Sequence, residues 1–178
     1  MSKRVLILSG SPRKQGNSDL LCDEFMRGAM EVGHEVEKLR VQEKKIACCT
    51  ASYACRDTGI CAIKDDMADI MQKMIDCDVM VLASPVYFYS INAQLKAVID
   101  RSVCRWTEVK NKEMYYIMTA ADGEKESMDT TLACFRGYAD CIEGAVEKGV
   151  IYGTGVYHVG EIIDTKYMQE AYEMGKAL

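Results

Sequence analysis

The stretch KRVLILSGSPRKQGNSDLL, residues 3–21, joins three patterns in quick succession. RVLILS, residues 4–9, is a nearly unbroken apolar run, as expected for a parallel strand buried on both faces. Residues 9–18 are rich in Gly, Ser, Pro, Arg and Asn. Leu21, Phe25, Gly28 and Val32 then recur at helical spacing, with Gly33 as the C-cap. A buried strand that turns through a polar loop into a helix is the opening of a βαβ unit.

The alternation continues outward from there. HEVEKLRV, residues 34–41, alternates like a strand, and residues 44–63 have no period and read as a long loop. Asp66 starts a helix with Met67, Ile70, Met71 and Met74 on one face. DVMVLA, residues 78–83, reads as a buried strand that Pro85 ends, and a helix follows from Asn92 with Leu95, Val98 and Ile99 inward. MYYIMTA at 114–120, a helix marked by Leu132, Phe135, Ala139 and Ile142, GVIYGTGV at 149–156 and a helix over 165–177 complete the pattern. Strand and helix in turn, five times over, predict one α/β domain over 1–178, doubly wound, with helices on both faces of a parallel sheet.

The 178 residues are 49% hydrophobic and 28% charged, with a formal net charge of −5. No basic block points to nucleic acid, and no apolar run reaches membrane-spanning length. Without a signal-peptide pattern at its start, the chain is expected to be cytoplasmic.

In doubly wound folds, ligands sit outside the carboxyl ends of the strands. The first loop lies there, and a helix N-terminus attracts anions. Ser9, Ser11, Asn17 and Ser18 offer side-chain donors, Arg13 a fixed charge, and Gly10 and Gly16 close backbone approach. A phosphate explains this density of donors better than a polar turn capped by Asn17 or Ser18. The loop lacks the Gly-Lys-Ser/Thr of a nucleoside triphosphate site and the G-x-G-x-x-G of a dinucleotide site, which favours a terminal monophosphate. SPVYFYSIN, residues 84–92, leaves a central strand at the same edge. Its aromatic triplet suits a planar heterocycle.

GSPRKQGNS at 10–18, CAIKDDM at 61–67 and SPVYFYSINAQLKAVIDR at 84–101 resemble the NAD(P)H-dependent FMN reductase family, nearest its iron–sulfur flavoprotein branch. The resemblance runs from residue 3 to about 155. It implies a flavodoxin-like five-stranded parallel sheet of order 2-1-3-4-5, bound FMN, and NADH or NADPH as electron donor. By it, Ser9, Ser11, Arg13, Gly16, Asn17 and Ser18 bind the FMN phosphate, and Pro85, Val86, Tyr87 and Phe88 line the isoalloxazine ring. Tyr89 is equally compatible with flavin contact and with packing, and the family often carries Gly or Ala there. Thr119, Ala120 and Asp122 are candidate ring or ribityl contacts, although a solvated turn at Asp122-Gly123 fits as well.

The expected function is an FMN-dependent oxidoreductase passing electrons to a small-molecule acceptor or a redox protein. The alternative is an electron carrier without its own small-molecule substrate. No nucleophile–base pair stands out, and His34 and His158 read as structural or solvent-facing, so no catalytic side chain is assigned. The family's habit of forming dimers or tetramers suggests a homodimer or homotetramer, with residues 44–63 and Arg101–Glu108, including Trp106, covering a neighbour's site.

Of the nine cysteines, Cys48, Cys49, Cys55 and Cys61 lie close together in the long loop. Iron–sulfur relatives carry C-x2-C-x2-C with a fourth cysteine following. Here Ser52 stands at the second position, and an extra Cys48 precedes the first. Adjacent cysteines point apart, so buried or redox-sensitive thiols are favoured over a cluster or zinc. Cys22, Cys77, Cys104, Cys134 and Cys141 are expected in the core.

Overall fold

The computed structural model describes residues 1–178. Strands β1 (Arg4–Ser9), β2 (Glu35–Arg40), β3 (Val79–Tyr87), β5 (Glu113–Thr119) and β6 (Val146–Gly153) form a parallel sheet in the order β2-β1-β3-β5-β6. Taken in chain order without the short β4 (Ser90–Ile91), this is the expected 2-1-3-4-5 arrangement. Helices α1 (Asn17–Glu31), α2 (Met67–Asp76), α3 (Ala93–Arg101), α4 (Asp129–Ala139) and α5 (Lys166–Lys176) make the crossovers and the closing layer. None is long and apolar enough to cross a membrane.

The alternation of side chains along each strand divides the core in two. Leu6, Leu8, Met80, Leu82 and Tyr116 face α2, α3 and α4, where they meet Met71, Leu95 and Phe135. Val5, Ile7, Val79, Val81 and Ile117 face the opposite way, onto Leu21 and Phe25 of α1 and Ala171 of α5. Gly28 belongs to the helical stripe because α1 and α5 touch there. A Cβ at Gly28 would lie 2.1 Å from the Tyr172 carbonyl oxygen, and one at Gly175 would lie 2.0 Å from that of Phe25.

One strand end differs from expectation. Pro85 does not end β3, which runs on to Tyr87 and pairs Pro85 with Thr119 of β5. The Ala83 carbonyl accepts from the Gly10 N–H on the β1 side. Pro85, two residues on, faces that same side after β1 has ended, so its missing N–H breaks no ladder bond. The chain then folds back antiparallel, Val86 against Ile91 and Tyr87 against Ser90. Phe88 and Tyr89 form the two-residue turn with φ of 48° and 60°, the doubly left-handed geometry of a primed hairpin turn that usually takes Asn-Gly.

The cysteines also divide differently from expectation. Cys22 and Cys77 are buried, and desolvation pushes the Cys77 thiol up to about 11. Cys104 and Cys134 are only half-buried and Cys141 is exposed. Cys104 and Cys141 follow α3 and α4 rather than lying in them, and the core face of each helix has ended by those positions.

Candidate cofactor cleft

The loops leaving β1, β3, β5 and β6 meet above the carboxyl edge of the sheet and enclose a cleft of about 160 Å³. Ser11, Arg13, Gly16, Asn17 and Ser18 line it from the first loop, and Pro85, Val86 and Tyr87 from the second. Thr119, Ala120 and Ala121 come from the third, and Val156 and Tyr157 from the fourth.

The first loop is built to expose backbone donors. Gly16 occupies the N-cap of α1, and no side chain caps that end. The first-turn N–H groups of α1 therefore keep their partial positive charge for an outside acceptor. Close packing excludes a side chain at Gly16: a Cβ would fall 2.6 Å from Ser11 Oγ and 3.1 Å from the Arg13 carbonyl oxygen. Ser18, 1% exposed, holds a buried hydroxyl with no hydrogen-bond partner. A buried donor left unsatisfied costs about 1–3 kcal/mol, so its persistence at the cleft wall marks a place for an acceptor. Arg13 stands at the rim, where its Nη1 donates to the Tyr157 carbonyl at 2.9 Å and its guanidinium lies 5.9 Å from the Tyr157 ring centre.

Beneath the loop, the buried Asp19 carboxylate sets its shape. It accepts from Ser9 Oγ at 2.8 Å and from the Gln15 N–H at 3.2 Å, and is paired with Lys38 at 3.2 Å and Arg40 at 3.3 Å from β2. The two lysine and arginine charges keep this carboxylate from opposing an anion above it. Ser84 and Asn92 tie the first and second loops together. Asn92 Nδ2 donates to the Gly10 carbonyl, and Ser84 Oγ accepts from the Asn92 N–H at 2.9 Å.

Three of the expected site residues are not at the cleft. Ser9 is fully buried with its hydroxyl spent on Asp19. The left-handed turn swings Phe88 outward until it is wholly exposed, away from the ring-facing position the resemblance implies. Asp122 is exposed and caps its own turn, its Oδ1 accepting from the Glu124 N–H at 2.9 Å. Asn17 is at the cleft, but its side chain is engaged elsewhere. Nδ2 donates to the His158 carbonyl at 3.0 Å, while Oδ1 accepts from the N–H groups of Gly160 at 3.1 Å and Ile162 at 3.4 Å.

Sequence reasoning missed the fourth loop. Its Val156 and Tyr157 reach the cleft, and the loop is held by Asn17 and by Glu161, whose carboxylate accepts from the Tyr157 and His158 N–H groups at 2.6 and 2.9 Å. Those backbone bonds hold the Glu161 carboxyl below its usual range. The Gly153–Gly160 stretch, with Gly155 and Gly160 both left-handed, was the available signal of a shaped turn.

Two larger cavities, about 510 and 520 Å³, lie between the cysteine loop and the end of α3, and the first of them also reaches α2. That loop and the segment with Trp106 were expected to reach over a neighbour; within the chain they line one cavity together.

The model of the family described as NADPH-dependent FMN reductase matches residues 3–139. An iron–sulfur flavoprotein of Methanosarcina thermophila is 42% identical over 100 residues, 56% of this chain and 52% of that protein. One of Methanocaldococcus jannaschii is 40% identical over 99 residues, 56% of this chain and 51% of that protein. The chain spans about half the length of these curated relatives. Among solved structures, the NAD(P)H:quinone oxidoreductase from Methanothermobacter marburgensis superposes with a TM-score of 0.78 at 15% identity, covering 99% of this chain and 96% of that one. An azoreductase from Bacillus anthracis has the same TM-score and identity, with both chains covered in full. The structural likenesses show a shared fold, and the match over residues 3–139 shows that this chain belongs to the NADPH-dependent FMN reductase family.

Proposed function

We propose that the cleft binds FMN and that the protein is an FMN-dependent oxidoreductase drawing on NADH or NADPH. The observation that carries this reading is the uncapped first turn of α1 beside the buried, unpartnered Ser18 hydroxyl. The first-turn N–H groups, Ser11 and Ser18 would bind the phosphate, with Arg13 closing over it from the rim. Because the enclosed space is smaller than the roughly 300 Å³ of an ordinary ligand pocket, the ring would emerge past Pro85–Tyr87 and Thr119–Ala121 toward Tyr157. FMN, when bound, supplies the redox chemistry, accepting hydride and releasing one or two electrons. The chain's part is to bind, to orient and to shield. Tyr87 and Tyr157 flank the mouth, and Val86 and Val156 present apolar surface to a planar ring.

The acceptor is a small molecule or a redox protein. Tyr87 and Tyr157 at the mouth are exposed, as are Phe88 and Tyr89 on the adjoining hairpin turn, and assembly into a homodimer or homotetramer would cover this aromatic surface.

The reading is tested by titrating the apoprotein with FMN and then adding each reduced nicotinamide under nitrogen. Ser18→Ala removes a buried hydroxyl that has no protein partner, so the apoprotein's melting temperature should not fall. FMN affinity should fall about ten- to a hundred-fold, the loss of one hydrogen bond to a charged group. Unchanged affinity in Ser18→Ala would remove the phosphate assignment. A bound flavin that neither nicotinamide bleaches would leave an electron carrier instead of a reductase.

A further inference from the structure

The segment between β2 and α2 is fastened at its base. The Lys45 N–H donates to Asp66 Oδ2 at 2.7 Å, the Asp66 N–H to the Lys45 carbonyl at 3.0 Å, and the Ala47 N–H to Asp65 Oδ2 at 2.9 Å. Residues 48–64 thus leave and return at one point, as in an Ω-loop. Inside the loop the hydrogen bonds are local: Arg56 to Tyr53, Gly59 to Cys55, and Ile60 to Thr58.

The loop lies over the end of α3, and four cysteines line the cavity between them. Cys49, Cys55 and Cys61 come from the loop, and Cys104 from the turn that follows α3. Arg101 stands in the same wall, 1% exposed and gripped by Asp65 at 2.7 and 3.0 Å. Its Nη1 also donates to the Ala47 carbonyl at 2.7 Å, yet its buried Nε has no hydrogen-bond partner. Asp65 first, and Cys61 after it, hold the Arg101 guanidinium above its ordinary range.

The thiols do not fit the iron–sulfur group that the relatives' names carry. No three Cys, His, Asp or Glu side chains converge closely enough to hold an ion, and Ser52 occupies the second position of the motif. Cys48 and Cys49 are exposed.

We propose that Cys61 and Cys104 are a redox-active thiol pair, oxidised by a hydroperoxide to a disulfide that clamps the loop onto α3. Cys61 is the attacking sulfur because it lines both cavities whose wall holds the buried Arg101 guanidinium. Cys104 lines both as well, whereas Cys55 lines only one. Cys104 is the resolving sulfur. Burial, and after it the neighbouring Cys61 and Cys55, raise its pKa, so it waits as a neutral thiol.

In the first step the Cys61 thiolate attacks the outer peroxide oxygen. The O–O bond breaks, and the leaving oxyanion takes up a proton as water or alcohol, leaving Cys61 as sulfenic acid. In the second, the Cys104 sulfur attacks the Cys61 sulfur. The S–S bond forms, the S–O bond breaks, and the departing hydroxide carries away the Cys104 proton as water. Two thiols and one hydroperoxide become one disulfide, one alcohol or water, and one water.

The test uses the full chain, reduced and then treated with equimolar hydrogen peroxide under nitrogen. The nine free thiols should fall to seven, and non-reducing peptide mapping should join the Cys61 and Cys104 peptides. Tryptic cleavage at Arg56, in the clamped loop, should slow, and dithiothreitol should reverse both effects. Cys104→Ser should accumulate a sulfenic acid on Cys61 that dimedone traps; circular dichroism checks its fold, and the wild-type map decides the matter if it unfolds. A cross-link that excludes Cys104, nine thiols surviving, or irreversible over-oxidation of Cys61 without a cross-link would overturn the proposal.

Discussion

Asn17→Ala separates a cofactor ligand from a structural tie at the same position. In the structure the Asn17 amide bonds to three backbone groups of the fourth loop: the His158 carbonyl and the Gly160 and Ile162 N–H groups. Truncation leaves all three without Asn17, but unequally. The His158 carbonyl still accepts from the Glu161 N–H at 3.4 Å, and half-exposed Gly160 can turn to water. Ile162 is fully buried, so its N–H has no replacement, although the lost bond is a long one. One buried orphan donor and two bonds exchanged for water sum to about 2 kcal/mol. For a chain of this size that lowers Tm by about 4–8 °C in the apoprotein. FMN affinity should fall as well, because Tyr157 and its carbonyl partner to Arg13 are carried by the released loop. The assay is a thermal melt of the apoprotein with and without FMN, beside Ser18→Ala as the contrasting variant. If Asn17→Ala leaves the apoprotein's Tm in place and weakens FMN alone, Asn17 is a ligand and the tie is of no consequence.

The Asp65–Arg101 pair supports a second expectation. Asp65→Ala strands a buried guanidinium at a cost of about 3–5 kcal/mol, and denaturant unfolding should show the Asp65→Ala, Arg101→Met double variant recovering part of it. The Arg101 guanidinium holds the Asp65 carboxyl below its ordinary range, so its contribution is complete above the unfolded carboxylate pKa and is lost as pH falls through the folded one. Acid unfolding of Asp65→Asn should accordingly lack that component of the wild-type pH dependence; an identical acid profile would remove Asp65 from the account. At the hairpin, Tyr89→Gly relieves a left-handed non-glycine residue and should stabilise the apoprotein by about 1 kcal/mol, read as a rise in urea midpoint. A fall in midpoint would mean that the Tyr89 ring contributes more than its backbone costs.

How much was legible follows from which interactions are local. The apolar run at 4–9, the helical stripe from Leu21 to Val32 and the later strand runs report burial on one or two faces, and burial is written into side-chain period. The sheet order followed from the family resemblance, and the structure has it. The donor-rich first loop was legible too, because an uncapped helix start needs only neighbouring residues to be recognised.

What tertiary structure alone decided are the long-range choices of partner. Asn17 turned to a loop more than a hundred residues away, Ser9 turned to Asp19, and Phe88 turned outward on a left-handed bend that no propensity favours. Pro85 stayed within a strand because β1 stops short of it. Cys104, which reads as a core residue of a helix, came to face the cysteine loop. Periodicity says which side of an element is dry, but a polar side chain binds whichever group the fold delivers within about 3 Å of it. That group is known only once all the crossovers are in place.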